Sequence, residues 1–469
     1  MLPLFVFGAA LLITTAPQLP QQLAPMPASV AWGAAFACWL LSAGGGAWFA
    51  GRTERRMRET GRIDPLRRLA PFMLAMRVLA IVGLAVPVLL SADGRTWLAD
   101  VVAAWLRTDI ILPTLLPLVA CWVTLASHCW SEARIDHLLE EGTALSEWLD
   151  GRPADRARSR RRLASILVRS EILLFAIPLA LLLSLAQGIE ALLIARGVEN
   201  GSVVVGAQLA GAVGLLAFSP LLLARVLPTR AIGETGRVVG AVARAHGVRL
   251  WRVMELETMR GQINAAVVGP AGWRLVLLTD GAIGRLAPEQ LRAVAAHEVA
   301  HLRRRHLPWA MLAVGGLAGG SATLIHHASA LVLGDALAAS GVVVSLQAAL
   351  VLAVTLAGLG FVSRRFEREA DASAVAFNAR EEGRDRIEAS DAEPLTGALL
   401  RVCAVGGLPA RKWTWRHGSV SGRCDAARAL AGARADARDL PAGGLLWRLG
   451  IASLAGLALV AGLLTDWPV

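Results

Sequence analysis

The sequence predicts a mainly α membrane protein: a multi-span helical bundle with a cytoplasmic α+β domain that carries a small β-sheet. Three observations lead there. The chain of 469 residues is 55% hydrophobic with a mean hydropathy of +0.54, too apolar for a soluble multidomain protein. Its apolar runs have the length of bilayer spans. The connecting segments alternate between arginine-rich and arginine-poor.

Taken in order, apolar runs place spans at about 2–16, 29–50, 69–91, 109–130, 171–188, 203–227, 308–334, 341–362 and 447–465. Residues 2–16 lack a basic leader and are read as a first span, not a cleaved signal. The loop 52–68 carries Arg52, Arg55, Arg56, Arg58, Arg62, Arg67 and Arg68, and 131–170 carries eight arginines. The alternate loops 92–108, 189–202 and 335–340 carry two, one and none. Positive charge inside puts 228–307 and 363–446 in the cytoplasm, with the N-terminus in and the C-terminus out. The organisation expected is a membrane domain over 1–227, a second domain over 228–446 interrupted by a membrane hairpin at about 308–362, and a last span in 447–469. Within the second domain, 228–245 has a helical pattern, and 249–256, 262–268 and 273–279 read as strands. Gly269–Gly272 forms a turn, and Pro288 opens a helix at its first position.

The net charge of +11 rests almost wholly on arginine, Lys412 being the one lysine, and Tyr is absent. No basic surface interleaved with aromatics is visible, so nucleic acid is excluded as a partner and the lipid bilayer is expected. Five scattered cysteines without a CxxC pair argue against a disulfide framework and against cysteine-held metal. Arg77 and Glu171 lie in or near spans, where charge can mark a transport path, but both can reach an interface.

The chemistry concentrates at His297-Glu298-Val299-Ala300-His301. Histidines at i and i+4 share one helix face, the spacing that holds a single zinc ion, and the adjacent Glu298 can take a proton from water on that ion. On that helix Leu291, Val294, Glu298 and His301 share one stripe, so a charge lies among apolar neighbours and needs a partner. A third ligand is expected at Glu367 in Ser363-Arg364-Arg365-Phe366-Glu367-Arg368-Glu369-Ala370-Asp371. Glu367 and Asp371, at i and i+4, face the same way. Asp371 can accept the second ring N–H of a ligand histidine, and Glu369 points elsewhere, to solvent. His301 precedes the first hairpin span by about seven residues and Glu367 follows the second by about five, so both sit roughly 8–10 Å above one membrane face. His306 is expected beside the ligands or solvated. His326 and His327 lie toward the opposite face, and His128, His137 and His246 show no partner pattern.

HEVAH followed by Arg305-His306, the membrane hairpin and SRRFEREAD together resemble the membrane-integrated gluzincin metalloproteases, the family of the HtpX heat-shock protease and the type I CAAX prenyl endopeptidase. The resemblance covers about 228–435. It implies a zincin-like metalloprotease domain with one Zn2+ per chain, held by His297, His301 and Glu367 with Asp371 behind them, and Glu298 as the base. It implies protein or peptide substrates, cut at the cytoplasmic membrane surface. Gln262-Ile263-Asn264-Ala265-Ala266 is similar to the family's edge strand, so Asn264 and Ala265 would pair with extended substrate. Arg416-His417-Gly418-Ser419 and Arg423 are similar to the family's late His-Pro-Ser…Arg segment, which makes His417 or Arg423 the group that steadies the oxyanion; Gly418 stands where the proline is usual. Two other readings stay open, a signalling protease with an N-terminal sensor and a non-catalytic membrane scaffold or transporter. Substrate identity, oligomeric state and the role of 1–227 are not set by the sequence.

Overall fold

The computed structural model describes residues 27–90, 112–149, 158–198, 201–258, 262–270, 272–334, 337, 341–407, 409–435, 448, 450–454 and 457. The expected span at 2–16, the loop 92–108 and most of 335–340 and 447–465 lie outside them. The chain divides into two compact units, Met1–Pro228 and Thr229–Val469.

The first unit is helical: α1 (Ala28–Thr60), α2 (Leu66–Leu90), α3 (Leu112–Leu149), α4 (Arg160–Leu167), a π-helical turn (Val168–Leu173), α5 (Leu174–Ala195), α6 (Gly201–Ala217) and α7 (Ser219–Val226). α1, α2 and α3 pack on one another around Trp32, Ala35, Trp39, Ala80 and Cys121. Polar groups inside the bundle satisfy one another, as a bilayer requires. Trp39 Nε1 donates to the Ala80 carbonyl at 2.9 Å and Ser42 Oγ to the Met76 carbonyl at 2.6 Å. The π-helical turn carries Glu171, which lies 3.0 Å from Arg77, while Glu132 lies 2.9 Å from the same guanidinium. Arg77 and Glu171, each within reach of an interface by sequence, are joined in one cluster.

The second unit runs β1 (Thr229–Ala231), α8 (Glu234–Ala245), β2 (Arg252–Leu256), β3 (Ala265–Val268), β4 (Leu275–Thr279), α9 (Asp280–Arg285), α10 (Pro288–Arg303), α11 (His306–Leu333), α12 (Gly341–Glu381), a short 3₁₀ turn (Ala389–Ala392), α13 (Glu393–Gly406) and α14 (Val420–Arg428). The sheet order is β1-β2-β4-β3, with β2 parallel to β4 and the other pairs antiparallel. Every residue of β4 is buried, which explains its unbroken apolar sequence. The helical pattern over 228–245 holds only from Glu234. Before it, Thr229–Ala231 pairs with β2 as an edge strand, a tertiary choice that the local pattern does not reveal. The core gathers Val239, Val276, Leu278, Leu291, Val375, Phe377 and Leu395 from both sides of α10.

Among the described residues four helices are long and apolar enough to cross a bilayer: Ala28–Thr60, Arg160–Ala195, His306–Leu333 and Leu346–Glu381. In the last two, Leu331 is 88% exposed and Leu346 65%, which suits lipid and not water. α11 and α12 form the expected hairpin, and Gly358 lets them approach, since a Cβ there would overlap Leu317. The protein is an integral membrane protein on these helices.

His246 ends α8 and is buried, with Nδ1 donating to the Val242 carbonyl at 2.9 Å and its ring stacked on Phe377. Burial lowers its pKa, and Arg303 and Arg380 add to that against the Val242 bond. The unfolded chain therefore takes up a proton first. Stability at this site is full above the ordinary pKa of about 6.5 and falls as pH drops below it. Thermal unfolding between pH 7.5 and 5.5 should show this acid loss, and His246→Gln should flatten it.

Candidate metal centre

Pro288 starts α10 at N1, where its missing N–H is harmless, and Gln290 Oε1 accepts from the Ala287 N–H at 3.1 Å. The helix is buried by alanines: Ala293, Ala296 and Ala300 have 0%, 0% and 1% exposure. These small side chains let it lie close to its neighbours α8, α12, α13 and β3. Leu291 is buried, and Val294, Glu298 and His301 are half-buried. Of the expected stripe, Glu298 and His301 turn to the site, whereas Leu291 and Val294 pack with Ala293 and Ala296 in the core.

α12 brings Glu367 opposite the two histidines. One ligand atom from each of His297, His301 and Glu367 lies within 4.8 Å of the others. His297 Nε2 and His301 Nε2 are 3.2 Å apart, and Glu367 lies 3.6 Å from the first and 3.9 Å from the second. Donors about 2.1 Å from one tetrahedral ion stand roughly 3.4 Å apart, so two imidazoles and one carboxylate fit such an ion with slight closure. Two ring nitrogens at 3.2 Å also need a cation or a shared proton between them.

Asp371 Oδ1 stands 2.9 Å from His297 Nδ1; the N–H is close but not aligned for a full hydrogen bond. Arg423 grips Asp371 with two bonds, Nη2 to Oδ1 at 2.7 Å and Nε to Oδ2 at 2.8 Å, and its Nη1 reaches Glu367 Oε2 at 3.0 Å. His417 Nδ1 lies 3.1 Å from Glu367 Oε1 with its side chain 49% exposed. The two late residues are thus both brought to the centre, Arg423 inside it and His417 at its rim.

The electrostatics follow from this packing. Burial pushes the Glu298 carboxyl above its ordinary range, and Glu367 adds to the push against His297 and Arg423. Burial drives His301 well below its usual value, aided by His297. Burial acts the same way on His297, but Asp371 and Glu367 outweigh it and raise that ring. Burial opposes the charge on Arg423 too, yet Asp371 and Glu367 hold it firmly protonated.

Residues 232–429 match the sequence model of peptidase family M48, the family of HtpX and CAAX-type zinc metalloproteases. Over these residues the chain is similar to peptidase family M48. A comparison with curated proteins returns no match. The match supports a metallopeptidase, a hydrolase of peptide bonds, in a family whose members depend on a metal.

In the matched domain Asn264 lies just before β3. Its N–H donates to Thr279 Oγ1 at 2.9 Å, its carbonyl accepts from the Thr279 N–H at 3.1 Å, and its Oδ1 accepts from the Ala265 N–H at 2.9 Å. The side chain is turned onto its own backbone, which locks the start of the strand. β3 ends the sheet and pairs with β4 alone among the described strands. Gly418 has φ +74°, closed by paired backbone bonds between Thr414 and Gly418 at 3.0 and 2.9 Å. Proline, fixed near −65°, is impossible there, so this loop takes a turn of its own. Arg364 Nη1 fastens it to α12 by donating to the Trp415 carbonyl at 2.5 Å.

One expectation is corrected, and for His306 the place beside the ligands is the one found. Glu369 is not exposed: it is 1% accessible, with Arg448 at 2.7 Å, His306 at 3.2 Å and Arg304 at 3.5 Å. His306 is buried at 3% and touches His301 Nδ1 at 2.8 Å through its own Nδ1. The helix that Pro288 opens stops at Arg303, and Arg305 takes φ +55°, ψ +41° before α11 begins. That left-handed residue turns His306 back toward His301. Because only glycine adopts it without strain, Arg305→Gly should keep or raise thermal stability, and Arg305→Val should lower it by about 1 kcal/mol.

Proposed function

We propose that this chain is a membrane-bound zinc metalloendopeptidase that cuts membrane or membrane-associated proteins at the cytoplasmic face. The convergence of His297, His301 and Glu367 beside the half-buried Glu298 carries the reading. Two imidazoles and one carboxylate are a donor set for one Zn2+ per chain with a fourth position open. When bound, zinc supplies a Lewis acid that polarises the scissile carbonyl and acidifies water. Glu298 takes the proton of the attacking water as its oxygen bonds to the carbonyl carbon, then passes that proton to the amine as the C–N bond breaks. Its raised pKa suits a group that must first accept and then return a proton. Arg423, bonded to both Glu367 and Asp371, holds the carboxylates in place. His417, half-exposed at the rim, is the better placed of the two to meet the developing oxyanion. The edge of β3, with its start locked by Asn264 and Ala265, offers backbone groups to an extended substrate.

The arginine-rich loops support the cytoplasmic side. A signalling protease is the second reading, favoured by a first unit that is compact by itself and holds Arg77 between Glu132 and Glu171 inside its helices. A scaffold without activity gives no reason to keep Glu298 beside three converging ligands.

Purified protein should contain one zinc per chain by elemental analysis and cleave a casein or membrane-protein substrate. Glu298→Gln should keep the zinc and lose cleavage by about 10²–10⁴-fold. Full cleavage by that variant would sink the assignment. Zinc chelation should silence the wild type, with recovery on adding zinc back.

A further inference from the structure

Beyond the three ligands, a second line of buried groups runs away from His301. Its Nδ1 is 2.8 Å from His306 Nδ1, and His306 Nε2 is 3.2 Å from Glu369 Oε2. We propose that His306 and Glu369 are positioning residues of the metal site, a buried line that fixes the proton on His301 Nδ1 and so aims the Nε2 lone pair at the ion. The inference rests on the metal-site reading above and adds residues that it does not use.

The proton assignment follows from the partners. An ionised carboxylate only accepts hydrogen bonds, so His306 Nε2 carries the proton that faces Glu369. A neutral ring then has a bare Nδ1, which can only accept. His301 Nδ1 must be the donor across 2.8 Å, which leaves His301 Nε2 bare, and it is this atom that faces His297 and Glu367. The reverse assignment requires a cationic His306. Arg448 and Arg304 already lie against Glu369, and a third positive charge against a single carboxylate is unfavourable.

The line is also held mechanically. The His306 ring stacks on Phe366, the residue before Glu367, with centroids 4.2 Å apart and planes at 20°. Arg304 Nε donates to Ser373 Oγ at 3.0 Å, and Ser373 Oγ donates to the Glu369 carbonyl at 2.8 Å. Arg448 sits over the Trp309 ring at 5.7 Å, and the nearby Ile451 packs with Phe366, Val362 and Ala313. The chain after the M48 match therefore reaches a metal ligand through Glu369 and His306. His297 has its own support in Asp371, so each imidazole has a separate carboxylate behind it.

Zinc affinity of the full-length protein, measured by competition with a chelator, tests the proposal, with unfolding of the metal-free form run in parallel. His306→Leu keeps the bulk and removes both ring nitrogens, and its affinity should fall about 10–100-fold. His306→Gln supplies an acceptor for His301 and a donor for Glu369, and should recover most of the loss. Glu369→Gln keeps the shape and removes the charge, and should weaken zinc roughly tenfold. A folded His306→Leu within twofold of wild type overturns the relay, as does a His306→Gln as weak as the leucine variant. If His306→Leu does not fold, Glu369→Gln decides: unchanged affinity overturns the relay and a loss at unchanged metal-free stability supports it. Tight zinc in the wild type with unaffected variants ends the relay alone, whereas a wild type that binds no zinc ends the metal-site reading and the relay with it.

Discussion

Three carboxylates on one helix, Glu367, Glu369 and Asp371, are buried at 8%, 1% and 4% exposure, and their neutralisation organises the second unit. A buried charge without a partner costs several kcal/mol, and breaking an existing pair costs about 3–5. Helical geometry splits the three into two groups. At about 100° per residue, Glu367 and Asp371 point within roughly 40° of each other, and Glu369 points almost opposite. Positive groups must then arrive on both sides of α12. Arg423 of α14 comes to the first side, and Arg304 and Arg448 come to the second. Sequence segments far apart are held in one domain because each is needed for charge balance.

The first side carries more carboxylate than arginine charge. Glu367 and Asp371 bring two negative charges, and Arg423 returns one positive charge. The histidines of α10 can contribute by protonation, but their two Nε2 atoms face each other at 3.2 Å, and two protonated rings would repel. A divalent ion would take the two lone pairs, and with Glu298 ionised as a third carboxylate it would, together with Arg423, balance the charge. The alanine face of α10 is what permits this closeness, because larger residues at Ala293, Ala296 and Ala300 would push the histidines away from α12.

Much of this was legible in the sequence because it is local. The i, i+4 spacing of His297 and His301, the same spacing of Glu367 and Asp371, and Pro288 at a helix start each follow from 3.6 residues per turn. The membrane hairpin then brings the two pairs to one level. What was not legible depends on departures from regular geometry. Continued as a helix, the step from His301 to His306 is about 140° around the axis, so the spacing alone does not choose between a place beside the ligands and a solvated one. Arg305 in the left-handed region cancels that displacement, and nothing in an arginine announces it. Glu369 reads as a surface residue for the complementary reason. Its partners Arg304 and Arg448 are non-local, and charged residues at non-local distance leave no periodic signal. β1 at Thr229–Ala231 was hidden likewise, because its pairing with β2 is a tertiary choice.

The helix break also explains how one short stretch serves two purposes. His297 and His301 must present Nε2 to the first side of α12, while Glu369 on the other side needs donors of its own. A straight helix through HEVAHLRRRH places Arg304 and His306 on diverging directions, and they cannot both meet Glu369. The turn at Arg305 ends one helix and begins another within three residues. Arg304 and His306 then approach Glu369 together, and His306 still touches the back of His301. The left-handed residue carries a strain of roughly 1–2 kcal/mol, less than the 3–5 kcal/mol expected for leaving Glu369 without its partners. On that comparison the strained turn is the favourable arrangement, and it makes the neutralisation of Glu369 and the orientation of His301 consequences of the same bend in the chain.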